Sequence, residues 1–263
     1  MKTRLLLLIG ILASGLAIGQ VPGGAAAEYL FTAGALGDLT QTGSALTQVS
    51  DRSGLGDAID LNGDYLRRGT FNASNITASF WIKTSTNDAN KRVIIDHTNR
   101  AQHIDNINEQ GWYTYLLNGQ VGFAANFYHS HFWNGSTVGN YSGYVYTAGT
   151  TVITDGEWHH VAVTAQKSIY HYGMWMKSYT YKIYVDGVLE GSQVVARNSG
   201  SSSSNIHAAL LPTTAITIGQ NKNGNLPYTY QDEIDDVRFY LSPLAEPDVQ
   251  LLADEGICEH MVV

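Results

Sequence analysis

The chain has 263 residues, with 15 basic and 23 acidic side chains and a formal net charge of −8. Because a surface this acidic repels phosphate backbones, nucleic acid is a poor partner for it. The single cysteine, Cys258, excludes an intrachain disulfide, although a bridge between two chains leaves self-association open.

The first 19 residues have the pattern of a secretion signal. Lys2 and Arg4 precede an apolar run that ends at Ile18. Small residues ending at Gly19 fit a cleavage site, and a second set allows cleavage as late as Ala27. The apolar run is shorter than the roughly 20 residues of a membrane-spanning helix, and no apolar run of spanning length follows it. We therefore expect a protein that is secreted or held at the cell surface, without a stable membrane span; an uncleaved N-terminal anchor is the alternative.

Beyond the signal, we expect one all-β domain over residues 28–256 and a C-terminal tail over residues 257–263. Short runs of Val, Ile, Thr and Tyr alternate with other residues and are separated by glycines, which is typical of strands and turns. Asn118-Gly119 and Asp186-Gly187 each lie between two alternating runs, which is the strongest short-range signal of a β-hairpin.

The sequence also predicts the secondary structure of two further segments. Residues 124–150 are rich in Tyr, Asn and Gly and predict a long loop or an inserted hairpin. The one predicted helix is short and close to the C-terminus, with Pro247 in its first turn and Gly256 at its end. We expect this helix to pack on the edge of the sandwich.

Six motifs follow one another along the chain. They are Ile59-Asp60-Leu61-Asn62-Gly63-Asp64-Tyr65, Ala78-Ser79-Phe80-Trp81-Ile82-Lys83, Trp158-His159-His160-Val161-Ala162-Val163-Thr164, Tyr184-Val185-Asp186-Gly187, Ile216-Thr217-Ile218-Gly219 and Ile234-Asp235-Asp236-Val237-Arg238-Phe239-Tyr240. In this order they resemble the laminin-G-like jelly roll of the concanavalin A-like lectin/glucanase superfamily. The resemblance implies a two-sheet antiparallel jelly-roll sandwich in which the motif at 58–66 pairs with the motif at 232–240.

The resemblance also raises the question of catalysis, because the superfamily includes glycoside hydrolases with an E-x-D-x-x-E strand. Glu233-Ile234-Asp235 matches the first half of that pattern, but Arg238 stands where the acid/base carboxyl would be. Retaining hydrolysis needs two carboxyl groups about 5–5.5 Å apart. The motif also lies in the last strand, where we expect edge pairing rather than a cleft. We therefore expect no enzyme, with an atypical glycoside hydrolase as the alternative.

A structural calcium ion is a second hypothesis. Calcium binds carboxylate and carbonyl oxygens, and pairing of the two end motifs would bring Asn62, Asp64 and Asp235 together as ligands. Four carboxylates between Asp232 and Asp236 repel one another unless a cation or Arg238 relieves them. The same residues would also be explained by an acidic, solvated edge with a structural Asp–Arg pair, and this alternative stays open.

The third hypothesis concerns carbohydrate, because aromatic rings stack on the C–H faces of sugars. Tyr128, Trp133 and Tyr141 lie in a Gly- and Asn-rich stretch where an aromatic has no core to fill, so we expect them to bind a ligand. The sequence therefore favours a secreted, non-catalytic binding or adhesion module for an extracellular glycan or protein. A structural subunit of an extracellular assembly is the main alternative.

Overall fold

The computed structural model describes residues 22–54, 56–71, 73–99, 111–133, 136–171, 175–198, 205–208, 214–220 and 228–255. The predicted signal at 1–19, the tail at 257–263 and Cys258 lie outside the described residues. Residue 28 lies within the described residues and residue 256 lies outside them, and the predicted domain bounds at these two positions stay a prediction.

Within the described residues the chain forms two eight-stranded antiparallel sheets, a short 3-10 helix (Thr32–Gly34) and one α-helix, α1 (Glu246–Ala253). Sheet A contains β1 (Ala27–Tyr29), β3 (Thr47–Ser50), β4 (Asp57–Asp60), β6 (Ile76–Lys83), β11 (Trp158–His171), β12 (Trp175–Val185), β13 (Val188–Asn198) and β16 (Glu233–Tyr240). Sheet B contains β2 (Thr40–Thr42), β5 (Tyr65–Arg68), β7 (Arg92–Thr98), β8 (Gly111–Leu117), β9 (Gln120–Trp133), β10 (Ser136–Ala148), β14 (Asn205–Ala208) and β15 (Ile216–Ile218). This is the all-β sandwich that the motifs predict.

The pairing of the two end motifs is confirmed. Sheet A has the order β13-β12-β11-β6-β16-β4-β3, and β1 also pairs with β16. Ile59 of β4 lies opposite Ile234 of β16, and Asp60 lies opposite Glu233. The expected edge position of the last strand is wrong, however. Because β4 and β3 continue the sheet beyond it, β16 lies in the interior of sheet A.

Alternation along the strands builds the core between the sheets. In β6, Ile76, Ala78, Phe80 and Ile82 point into the interlayer cluster, where they meet residues of sheet B such as Phe123. All of these side chains are at most 5% exposed. Burying a side chain of the size of Ile or Phe contributes about 1.5–3 kcal/mol, so this cluster is the main source of stability.

Two predicted hairpin turns are confirmed. Asn118-Gly119 joins β8 to β9 with φ values of 51° and 75°, and Asp186-Gly187 joins β12 to β13 with φ values of 48° and 77°. Two consecutive positive φ angles define the hairpin turn whose twist matches that of the strands.

The stretch at 124–150 forms strands rather than a loop. Its residues complete β9 and build β10. The two strands pair from Gly122 opposite Ala148 to Trp133 opposite Ser136, with one irregularity. The inserted-hairpin alternative is therefore the correct one. Tyrosine and threonine favour strands, and the Gly and Asn residues that suggested a loop are tolerated within this long pairing.

Helix α1 packs on the outer face of sheet A and not on its edge as expected. Val249 contacts Ala162 and Tyr184, whose side chains point away from the interlayer core. Pro247 lies in the first turn, as predicted, and Glu246 and Asp248 lie where the helix dipole favours acidic residues. The helix thus removes part of one sheet face from solvent.

Candidate functional site

The outer face of sheet B carries three tyrosines grouped around one amine. Lys91 Nζ lies 4.9 Å from the ring centroids of both Tyr115 and Tyr146, a distance typical of a cation–π contact. The same amine donates a hydrogen bond of 3.1 Å to the hydroxyl of Tyr113. We call Lys91, Tyr113, Tyr115 and Tyr146 the tyrosine cluster.

The register of three neighbouring strands brings these tyrosines together. Tyr113 of β8 lies opposite Ala124 of β9, which in turn lies opposite Tyr146 of β10. Tyr113 and Tyr115 alternate along β8 with Trp112 and Leu116, which face the interlayer core. The cluster is therefore a consequence of strand alternation, on the face that points away from the core.

Gly122 provides the space that the ring of Tyr115 occupies. The two residues are cross-strand neighbours, and a Cβ atom at position 122 would lie 2.2 Å from Tyr115 Cζ. Any side chain at this position would force the ring to move. Gly122 thus fixes the height of the Tyr115 ring above the sheet.

The members of the cluster differ in their exposure. Tyr113 is fully buried and Tyr115 is 6% exposed, whereas Tyr146 is 43% exposed. An exposed tyrosine on a packed aromatic base presents a flat apolar face beside a polar hydroxyl. Such a ring can stack on the apolar C–H face of a sugar while its hydroxyl group contacts water or a sugar hydroxyl.

Sequence reasoning did not single out Tyr146 or Lys91. The available signal is the Tyr113-x-Tyr115 run, because two tyrosines at this spacing share one sheet face. The contribution of Tyr146 depends on the register between β9 and β10, which residue types do not specify by themselves.

The predicted ligand residues Tyr128, Trp133 and Tyr141 lie in strands and not in the expected loop. Tyr128 lies opposite Ser142, Trp133 opposite Ser136 and Tyr141 opposite His129. Their side chains lie outside the part of the structure that is described, so their role in binding stays a prediction.

The predicted calcium ligands have other partners. The Oδ2 atom of Asp64 accepts hydrogen bonds from Gln41 Nε2 at 2.8 Å, from the Ala45 amide at 2.7 Å and from the Leu46 amide at 2.9 Å. Burial opposes ionisation of Asp64, but these hydrogen bonds outweigh it and lower its pKa. Asn62 Nδ2 donates to the carbonyl of Ala45 at 3.2 Å.

Asp235 lies in a separate group of charges on the outer face of sheet A. Its Oδ2 atom is 3.3 Å from Arg52 Nη1, and Asp236 Oδ2 is 2.7 Å from the same nitrogen. Because N–H donors surround Asp64 and a guanidinium neighbours Asp235, the residues as arranged do not fit a calcium ion. Calcium binding at Asn62, Asp64 and Asp235 would require these donors to move away, and it stays a prediction.

The second arginine of this group is almost fully buried. Arg238 is 2% exposed, and its guanidinium contacts Glu28 at 2.6 Å and Glu255 at 2.5 Å. Burial alone would lower the pKa of Arg238, but the carboxylates of Asp236, Glu28 and Glu255 outweigh it and raise that pKa. We call these two arginines and the carboxylates Asp235, Asp236, Glu28 and Glu255 the arginine network.

In place of the expected solvated acidic edge, the structure has ion pairs in which Asp235, Asp236 and Arg238 are buried, whereas the Glu28 side chain at the margin is 46% exposed. Asp235 is 2% exposed and Asp236 is 7% exposed. Burial and the neighbouring Asp236 carboxylate raise the pKa of Asp235. Arg52 also lies over Trp81, with its guanidinium carbon 4.5 Å from the indole centroid. The Asp–Arg pairing that the sequence predicts is therefore present, but it involves Arg52, and it is covered.

The residues that resemble catalytic groups have structural partners. Glu233 Oε2 is 3.1 Å from Lys83 Nζ, and Asp235 is paired with Arg52. Ser79 Oγ lies 2.8 Å from His160 Nε2, but both side chains are buried, and His160 Nδ1 has no hydrogen-bond partner. Complete burial lowers the pKa of His160 to about 3. A Ser–His pair without access to substrate and without an orienting carboxylate lacks the geometry of a triad.

The part of the chain that the structure describes contains neither a cluster of metal-ligating side chains nor a membrane-spanning helix. No group of three or more His, Cys, Asp or Glu side chains there is arranged to hold a metal ion. No helix in this part of the chain is both long and apolar enough to cross a bilayer.

Solved structures share the fold of this chain. Domain 4 of AbnA, a GH43 extracellular arabinanase from Geobacillus stearothermophilus solved in complex with arabinotriose, is similar over 88% of this chain and 98% of that domain, with 17% identity and a TM-score of 0.50. The receptor binding domain of botulinum neurotoxin mosaic serotype C/D is similar over 84% of this chain and 46% of that one, with 16% identity and a TM-score of 0.49. The chain thus spans slightly less than half of the neurotoxin binding domain.

Sequence comparison gives the family. No curated protein sequence matches the chain significantly. The laminin-G-type family model of the concanavalin A-like lectin/glucanases superfamily matches residues 56–250, which include all six motifs and all residues of the tyrosine cluster. The chain belongs to the concanavalin A-like lectin/glucanases superfamily.

Proposed function

We propose that this chain is a secreted, non-catalytic module that binds carbohydrate through the tyrosine cluster. The observation that carries the proposal is the 43% exposed ring of Tyr146, which rests on a buried aromatic base at the outer face of sheet B. Membership of a superfamily that contains lectins agrees with this proposal, although fold alone does not define function.

The arabinanase domain supplies a first set of ligands to test. Its structure contains arabinotriose, and its fold is similar to that of this chain. We therefore propose arabino-oligosaccharides, together with a wider glycan array, as probes. The similarity concerns the fold, so an array that includes other plant and bacterial glycans is needed to identify the preferred sugar.

The test compares substitutions at two equally exposed positions. Tyr146→Ala removes the proposed stacking ring, whereas Leu241→Ala changes a 46% exposed residue that directly follows β16 of the other sheet. Loss of one aromatic contact is worth about 0.5–1.5 kcal/mol, so we expect Kd to rise roughly 2- to 10-fold for Tyr146→Ala. Leu241→Ala should bind like the parent chain, and Tyr146→Phe should retain most of the affinity because it keeps the ring.

Calorimetric titration with the sugar that gives the strongest array signal measures these affinities. Unchanged binding by Tyr146→Ala would exclude the tyrosine cluster as the site. The next variant would then be Trp133→Ala, because Trp133 is one of the three ligand residues predicted from sequence. Absence of any glycan signal for the parent chain would contradict the proposed function itself.

Two other sequence predictions keep their own tests. A calcium ion at Asn62, Asp64 and Asp235 would give heat on titration and a lower Tm with chelator, and neither is expected if the N–H donors around Asp64 persist. A structural subunit of an extracellular assembly would show a mass that rises with concentration in light scattering.

A further inference from the structure

Residues 22–29 run beside β16, and the last three of them form β1 of sheet A. The amide of Ala26 donates a hydrogen bond of 2.7 Å to the carbonyl of Phe239, and β1 pairs with residues 237–239. Further upstream, the hydroxyl of Tyr240 donates a hydrogen bond of 3.0 Å to the carbonyl of Pro22. The folded domain therefore includes residues that precede its predicted start at residue 28.

This segment also completes the charge balance around Arg238. Glu28 Oε1 lies 2.6 Å from Arg238 Nε, the one guanidinium nitrogen that Glu255 does not contact. Because the Arg238 side chain is 2% exposed, its charge depends on such partners and not on water. The adjacent Tyr29 is 4% exposed and joins the interlayer core. Both positions need β1 to be held against β16.

The sequence offers two places where the leader could be removed, after Gly19 and as late as Ala27. We infer that cleavage takes place before Pro22, so that Pro22–Tyr29, the segment that ends in β1, stays in the mature protein as part of the folded domain. Of the two predicted sites, the one after Gly19 satisfies this condition. It also directly follows the apolar run, which is the usual position of a signal cleavage site.

The chemistry of cleavage explains why the later site does not fit the structure. Hydrolysis adds water across one peptide bond, which leaves a carboxylate on the leader and an ammonium group on the new first residue. After cleavage at Ala27, that ammonium group would belong to Glu28, whose side chain contacts a buried guanidinium. The like charges would repel each other, and the Ala26–Phe239 hydrogen bond and the Ala27–Phe239 pairing would be lost.

Intact mass and N-terminal sequencing of the protein exported with its own leader test the inference. We expect a mature chain that begins at or before Pro22, with Gln20 as the first residue if the earlier site is used. A first residue anywhere after Pro22, including Glu28, would overturn the inference.

A second measurement tests the structural reason independently of the export machinery. Two chains are produced without a leader, one beginning at residue 20 and one at residue 28, and their thermal unfolding is compared. We expect the shorter chain to lose about 5–10 °C in Tm or not to fold. Glu28→Gln in the longer chain keeps the strand and removes the charge, so it should lose less. Equal Tm values for the two chain lengths would overturn the structural role of residues 22–27.

Discussion

The outer faces of the two sheets arise from the same alternation of side chains, yet they end as different surfaces. On sheet A, helix α1 and the segment that carries Arg52 cover the outward residues, so that Ser79, Trp81 and Asp235 are all at most 6% exposed. On sheet B, the outward tyrosines pack on one another, and Tyr146 remains 43% exposed. The comparison indicates that the outer face of sheet A contributes to stability, and it agrees with the proposal that sheet B uses its outer face for recognition.

The largest expected effect tests the stabilising role of sheet A. Arg238→Met removes the guanidinium that Glu28 and Glu255 contact, whereas Asp236 keeps Arg52 as a partner. Removing one member of a fully buried ion pair costs about 3–5 kcal/mol, and because the Glu28 side chain is 46% exposed we expect a loss near the lower end, about 3 kcal/mol in the free energy of unfolding. Denaturant unfolding followed by tryptophan fluorescence measures it.

Arg67→Met is the control, because Arg67 is an exposed arginine on β5. It should change the free energy of unfolding by no more than about 0.5 kcal/mol. Similar losses for Arg238→Met and Arg67→Met would show that the arginine network does not stabilise the fold.

A smaller effect tests the recognition role of sheet B. Gly122→Ala places a methyl group 2.2 Å from Tyr115 Cζ, so the ring must shift and disturb the tyrosine cluster. We expect a loss of about 1–3 kcal/mol in stability, as for other overpacked sites, together with weaker glycan binding.

Gly69→Ala is the matched control, since a Cβ atom at Gly69 would meet nothing within 4 Å. It should leave both stability and glycan binding close to those of the parent chain. Full glycan affinity in Gly122→Ala would show that the Tyr115 ring is not part of the binding site.

The smallest effect concerns pH and involves His159 at the start of β11. Hydrogen bonds from His159 to Asp186 and Asp155 raise the pKa of His159 in the folded protein. A raised folded pKa stabilises the protein below the unfolded value of about 6.5, and this contribution is lost as pH rises through the folded pKa. Because the two carboxylates are largely exposed, we expect no more than about 1 kcal/mol.

Thermal unfolding between about pH 5.5 and pH 8.5 measures this contribution. The difference in Tm between the parent chain and His159→Gln should be largest at the acidic end and should shrink as pH rises. A difference that grows with pH would contradict the assigned direction of the pKa.

Much of the fold follows from short sequence patterns. Asn118-Gly119 and Asp186-Gly187 predict their hairpins because two adjacent residues with positive φ suit those residue types. The motifs at 58–66 and 232–240 predict their own pairing through the family resemblance, and the register at Ile59 and Ile234 confirms it.

The parts that could not be predicted depend on contacts between distant segments. Ser79 and His160 alternate as outward residues, and their burial requires elements, such as α1 and the Arg52 segment, that are remote in sequence. The tyrosine cluster likewise needs the β9–β10 register to bring Tyr146 beside Lys91. Composition around residue 124 favoured a loop as much as a hairpin, since Gly and Asn are common in both.

Arg238 has a consequence for the way in which the domain can be rearranged. One guanidinium contacts Glu28 near the first strand and Glu255 just after helix α1, so the two ends of the fold lie side by side. A short flexible linker could therefore join them, and new ends could be opened at the Asn118-Gly119 turn. Such a circular permutant should retain the sandwich, because adjacent ends are the geometric requirement for permutation.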